Sequence, residues 1–111
     1  MTATDTLPDV IDRYMRAAEA RDTDTLLGCF TPDATVTDEG KTYRGTDGIR
    51  DWRDGVASAW TYTTTVTGHE RAEADRHILR IHLSGNFPGG EADVRFRFTL
   101  AGDRITDLTI G

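Results

Sequence analysis

Tyr14 and Asp38 are the two side chains whose chemistry and spacing together could move a proton. In the run Asp33-Ala34-Thr35-Val36-Thr37-Asp38, a period of two puts Ala34, Val36 and Asp38 on one face and Asp33, Thr35 and Thr37 on the other. Asp38 therefore ends an apolar face. Asp and Gly also favour turns, so Asp38-Glu39-Gly40 can equally be read as a solvated turn after a strand that stops at Val36 or Thr37. Burying an ionised carboxyl is costly unless it is paired or neutralised, so an inward Asp38 calls for a hydrogen-bond partner or an upward-shifted pKa. Such a base in a dry pocket suits removal of a proton next to a carbonyl. The enolate oxygen then needs a donor, and Tyr14 offers a hydroxyl on the inward stripe of the first predicted helix. Tyr14 can also be read as a core aromatic whose hydroxyl finds a backbone carbonyl or water.

Other chemistries find less support. His69, His77 and His82 are the only histidines, and His77 and His82 point to opposite faces of one predicted strand. No histidine or acid pair has ligand spacing, so neither a metal nor a cofactor is expected. There is no Gly-x-Ser-x-Gly elbow, and the single Cys29, between Leu27 and Phe30, reads as a small core residue. Nineteen acids against 13 Lys and Arg give a net charge of −6, which repels a phosphate backbone and argues against a nucleic-acid partner. Arg80, Arg95 and Arg97 read as outer-face arginines paired with acids. No apolar run approaches the ~18 residues of a membrane span, and no basic-then-apolar leader opens the sequence. A soluble, cytoplasmic protein without a membrane partner is expected, with its lone cysteine in a reducing compartment.

These residues must be positioned by the elements around them. Leu7, Val10, Ile11, Tyr14, Met15 and Ala18 follow an amphipathic helical spacing, with Pro8 in the first turn and Asp9 and Asp12 complementing the dipole. A short second helix is predicted from a Thr23 cap through Leu26, Leu27 and Phe30, closed by Pro32. After the Asp38 strand, a third helix capped by Thr46 places Ile49, Trp52, Val56 and Trp60 on one side, weakened by Gly48 and Gly55. Thr61 to Thr67 is rich in β-branched residues and reads as a strand. The strand Arg76 to Leu83 puts Leu79, Ile81 and Leu83 on one face, and the strand Asp93 to Leu100 does so with Val94, Phe96, Phe98 and Leu100. A hairpin loop carrying Gly85, Pro88, Gly89 and Gly90 joins them, and a last strand runs from Arg104 to Ile110.

The 111 residues fit a single domain, residues 1–111, large enough to bury roughly 65% of its unfolded surface. Helices first and strands afterwards predict an α+β fold, with three N-terminal helices packed on one face of a curved, mostly antiparallel sheet. A cone of this kind has a mouth and an apolar lining in which a pocket can form.

The run RYMRAAEARDTDTLLGCFTPDATVTD followed by YRGTDGIRDW resembles the nuclear transport factor 2-like superfamily, which includes SnoaL-like polyketide cyclases and ketosteroid isomerases. The resemblance covers Leu7 to Gly111, and Arg13-Tyr14 through Asp38 matches the ketosteroid isomerase pattern without a gap. It implies a cone-shaped fold, usually dimeric, with a pocket between the helices and the concave face of the sheet. By position it implies Asp38 as a general base shuttling a proton between the α and γ carbons, and Tyr14 as the phenol bonded to the dienolate oxygen. Those isomerases add a protonated acid from an inward position on a late strand. Here the inward residues of that strand are Val94, Phe96, Phe98 and Leu100, with Asp93 on the opposite parity, and Glu39-Gly40 follows Asp38 where the isomerases have a proline.

The leading expectation is a homodimeric isomerase or cyclase that binds a small apolar carbonyl compound, with Asp38 as base and Tyr14 as donor. Trp52, Val56, Trp60, Phe96 and Phe98 would line the ligand pocket. The alternative is a non-catalytic module that uses the same pocket to hold a ligand or its sheet face to pair with a partner. Protein recognition in the manner of the superfamily's namesake is a third reading. Dimerisation is expected through the outer sheet face, using Arg80, His82, Arg95 and Arg97 with acidic partners.

Overall fold

Pro8 fixes the entry to the first helix in a computed structural model that describes residues 7–57 and 62–111. Helix α1 (Asp9–Ala20) carries Asp9 and Asp12 in its first turn and ends on Arg21, whose left-handed backbone (φ 57°) returns its N–H to the carbonyls of Ala17 and Ala18. Its inward stripe is Val10, Ile11, Tyr14 and Ala17. Helix α2 (Thr23–Gly28) is capped by Asp22 and not by Thr23, because the Asp22 carboxylate accepts from the backbone N–H of Thr25 at 3.2 Å and from its hydroxyl at 2.7 Å. The hydroxyl and then the amide of Thr25 hold the Asp22 carboxyl below its ordinary pKa. The helix stops at Gly28, so Phe30 opens strand β1 (Phe30–Asp38) instead of closing α2.

Pro32 lies inside β1, where the register against the last strand slips between Phe30 and Thr35. A bulge tolerates a residue that cannot donate to the ladder, and the pairing with the next strand starts only at Thr35, which is how a proline enters this strand. Strand β2 (Lys41–Arg44), absent from the sequence reading, turns back along β1 through Glu39 and Gly40. Both have positive φ, 52° and 79°, the signature of a two-residue hairpin turn of the primed type. The strand reading of this stretch holds and the reading of Asp38 as a turn residue does not: β1 runs through Asp38, which stays in register opposite Lys41, and the turn is Glu39-Gly40 alone.

Helix α3 (Gly45–Trp52) begins one residue before Thr46, with Arg44 at its cap, and widens into a π-helical turn (Arg53–Ala57). Strand β3 (Tyr62–Glu73) runs well beyond Thr67, followed by β4 (Arg76–Gly85), β5 (Glu91–Ala101) and β6 (Arg104–Ile110). The sheet order is β2-β1-β6-β5-β4-β3, with β1 parallel to β6 and the other described neighbours antiparallel. Register slips in the β1–β6, β3–β4 and β5–β6 ladders curve the sheet.

This is an α+β fold with helices on one face of a mostly antiparallel sheet. Helix α1 packs on β6, and α2 and α3 pack on β1. The row Val36, Leu108 and Phe98 runs across β1, β6 and β5 under Ile11, Leu26 and Ile49. Each fully buried large aliphatic here contributes about 1.5–3 kcal/mol. Cys29 belongs to this core, its thiol toward the Thr25 carbonyl at 3.5 Å and its pKa pushed up by burial.

Candidate functional site

One step along the strands from the core row lies a second row, Asp38, Ile110 and Phe96, cross-strand partners on β1, β6 and β5. With period two, this row faces the same way as Val36, Leu108 and Phe98 but sits nearer one end of the sheet. There the helices leave a cavity of about 560 Å³. Asp38, Ile110 and Phe96 form part of its floor, and Val94 and Leu83 extend it across β5 and β4. Tyr14, Met15 and Ala18 of α1 close one side, Trp52 and Arg53 another, and Phe87 and Pro88 of the β4–β5 loop reach in from the rim. The wall is predominantly apolar, so the few polar groups on it determine its chemistry.

Asp38 is half-buried, and its Oδ2 accepts a hydrogen bond from Trp52 Nε1 at 3.1 Å. Its second oxygen takes no hydrogen bond from a described residue. The carboxylate is held in place through one oxygen, and no described residue occupies the other. Tyr14 is 1% exposed, wedged edge-on against Phe30 and Phe98 with ring centroids 5.8 and 5.6 Å away. Its hydroxyl makes no hydrogen bond with a described residue, although the side chain is on the cavity wall. Burial pushes the phenol well above its ordinary pKa, and the nearby Arg53 charge opposes only part of that rise. Tyr14 is therefore a neutral donor at physiological pH. The Asp38 charge also acts on it, which places carboxylate and phenol in one electrostatic environment.

Of the expected pocket residues, Trp52 and Phe96 are on the wall. Phe98 is not. It shares the parity of Phe96 but lies in the core row, where it supports the ring of Tyr14 from behind. The side chain of Val56 and all of Trp60 lie outside the described residues. Asp93 is on the outer face, where it bonds His82 Nδ1 at 2.8 Å, so no late-strand acid among the described residues faces the cavity. His77 is buried beside His69, with facing ring nitrogens 3.0 Å apart, and neither borders this cavity.

Sequence reasoning missed Ile110, Phe87 and above all Arg53. Arg53 is 8% exposed, its guanidinium carbon 5.2 Å from the centre of the Trp52 ring and its Nη2 donating to the Ala18 carbonyl at 3.4 Å. A charged residue next to Trp52 reads as surface on any regular α-helix. The wider π turn slows the advance of side chains around the axis and brings Arg53 inward with Trp52. Gly55, which weakens the helix there, is the available signal.

Residues 11–108 match the family described as the SnoaL-like domain. A candidate polyketide cyclase from Sinorhizobium meliloti is 33% identical, with 95% of each chain covered and a TM-score of 0.89. A Mycobacterium tuberculosis protein solved in complex with estradiol-17β-hemisuccinate is 17% identical over 91% of this chain and 88% of its own, with a TM-score of 0.77. A Δ5-3-ketosteroid isomerase from Mycobacterium sp. is 16% identical over 92% and 88%, with a TM-score of 0.76. At those two lower identities the likeness shows the fold. No functionally curated protein matches the chain. No helix among the described residues is long and apolar enough to cross a membrane.

Proposed function

Because the chain belongs to the SnoaL-like domain family of the nuclear transport factor 2-like superfamily, we propose that its cavity binds a small apolar carbonyl compound and that Asp38 moves a proton on it as an isomerase or cyclase would. The observation that carries this reading is a carboxylate anchored by Trp52 Nε1 on the same apolar wall as a neutral phenol to which no described residue hydrogen-bonds. In this mechanism the free oxygen of Asp38 takes a proton from the carbon next to the carbonyl. The Tyr14 hydroxyl donates to the oxygen on which negative charge develops, and Asp38 returns the proton at a second carbon. The predominantly apolar wall lowers the local dielectric, so the Tyr14 donor acts on the developing charge more strongly than it would in water.

The test is conversion of a β,γ-unsaturated cyclic ketone to its conjugated isomer, followed by ultraviolet absorbance. Asp38→Asn is expected to lower the rate by about 10²–10⁴-fold. Tyr14→Phe is expected to lower it by about 10²–10³-fold. Both variants should keep the wild-type circular dichroism. Full activity in Asp38→Asn would refute the assignment.

A binding protein that holds the same class of ligand without turnover is the second reading, favoured by the apolar residues that β5 turns to the cavity in place of a second acid. Deuterium exchange at the α carbon of a bound ketone separates the two, since a holder leaves the exchange rate unchanged. Either reading is compatible with a homodimer joined through the outer sheet face.

A further inference from the structure

Among the described residues, no carboxylate pairs with Arg53. Arg16, Arg50, Arg76 and Arg80, all substantially exposed, each pair with an acid, whereas the buried Arg53 forms no ion pair with a described residue. Its one side-chain hydrogen bond among the described residues, to the Ala18 carbonyl, engages a single N–H of the five that a guanidinium carries. Stacking on Trp52 offsets part of its desolvation but brings no counter-charge. In a chain rich in acids, no described acid pairs with this buried arginine at the wall of the apolar cavity. Burying a charge is costly unless an anion meets it, and a planar guanidinium meets a carboxylate best.

We propose that Arg53 is the anion receptor of this cavity and that its ligand is an apolar carbonyl compound bearing a carboxylate, an inference that rests on the pocket reading above. Trp52 sets the geometry. Its ring underlies the guanidinium and its N–H holds Asp38, so one indole carries the cation over its face and the carboxylate at its edge. A carboxylate seated on Arg53 leaves the rest of the ligand over Ile110, Phe96 and Val94, with its reacting carbon toward Asp38. Negative charge at the Arg53 end also keeps the ligand from binding in the reverse orientation, because Asp38 repels it.

The matched probes are 2-naphthoate and 2-naphthamide, similar in shape and different in charge, titrated by calorimetry at neutral pH. The wild-type chain is expected to bind the naphthoate at least about tenfold more tightly, the size of one charge-assisted pair. Arg53→Met should erase that preference while changing naphthamide affinity by less than about threefold, and Arg53→Lys should restore part of it. Equal affinities in the wild type, or a preference that survives in Arg53→Met, would overturn the role of Arg53 and leave the pocket reading standing. Failure of the wild type to bind either probe would overturn both. If Arg53→Met does not fold, the wild-type preference and its weakening in Arg53→Lys decide the question.

Discussion

Trp52 holds the Asp38 carboxylate through its N–H and the buried cation through its ring, so it tests the proposed roles of both without touching either charge. Trp52→Phe keeps an aromatic ring and removes the donor to Asp38. A hydrogen bond to a charged group is worth about 1.5–3 kcal/mol, so we expect turnover of a ketone substrate to fall by about tenfold or more. Ligand affinity, measured by calorimetry, should change by less than about threefold. His82 makes a different prediction on the opposite face. Asp93 and then Glu91, each hydrogen-bonded to its ring, hold His82 above its ordinary pKa. A raised folded-state pKa stabilises the fold below the unfolded value, about 6.5, and that contribution disappears as pH rises through the folded value. Thermal unfolding at pH 6 and pH 8 should therefore show a loss in the wild type that shrinks in His82→Gln, small in size because the ring is about a third exposed. At this scale the sequence was partly legible. Tyr14 and Asp38 stand out because each interrupts an apolar periodicity with a polar group. Arg53 does not, because its inward position depends on a change of helical pitch that no spacing of apolar residues announces.

The elements that hold these residues were legible where the hydrophobic pattern was long. Helix α1, β4 and β5 follow from repeated alternation, but β2 has four residues and only Tyr43 half-buried, too short a pattern to register. Phe96 and Phe98 could not be told apart, since parity gives the face and only cross-strand register gives the row. Pro32 looked like a helix stop because a bulge is defined by the neighbouring strand, which lies more than 70 residues downstream. The Glu39-Gly40 turn supplies the prediction at this scale. A non-glycine residue in the left-handed region costs about 1–2 kcal/mol, and asparagine tolerates it better than glutamate. Glu39→Asn is expected to stabilise the chain by about 0.5–1 kcal/mol, seen as a raised thermal midpoint. Because the turn sets the register of Asp38 against Lys41, the substitution should leave that pairing intact.

On the scale of the whole molecule, the order of helices and strands carried the fold class, and family membership agrees with it. The outer sheet face carries the remaining prediction. Arg80, His82, Arg95 and Arg97 share it with Glu70, Glu91 and Asp93, and Glu70, Glu91 and Asp93 already pair with Arg80 and His82 within one chain. Light scattering at micromolar concentration is expected to give twice the mass of the chain, and a monomeric mass would exclude the proposed dimer. The parallel joint between β1 and β6 has a meaning in time. The register that seats Asp38 beside Ile110 joins residues 72 positions apart, and closing so long a loop comes late because little contact energy offsets its entropy beforehand. The β3–β4 and β4–β5 hairpins can zip locally while Asp38 still has no floor beside it. In a chain emerging from a ribosome, the helices and hairpins can form early, and the cavity around Asp38 completes itself only when the final strand docks.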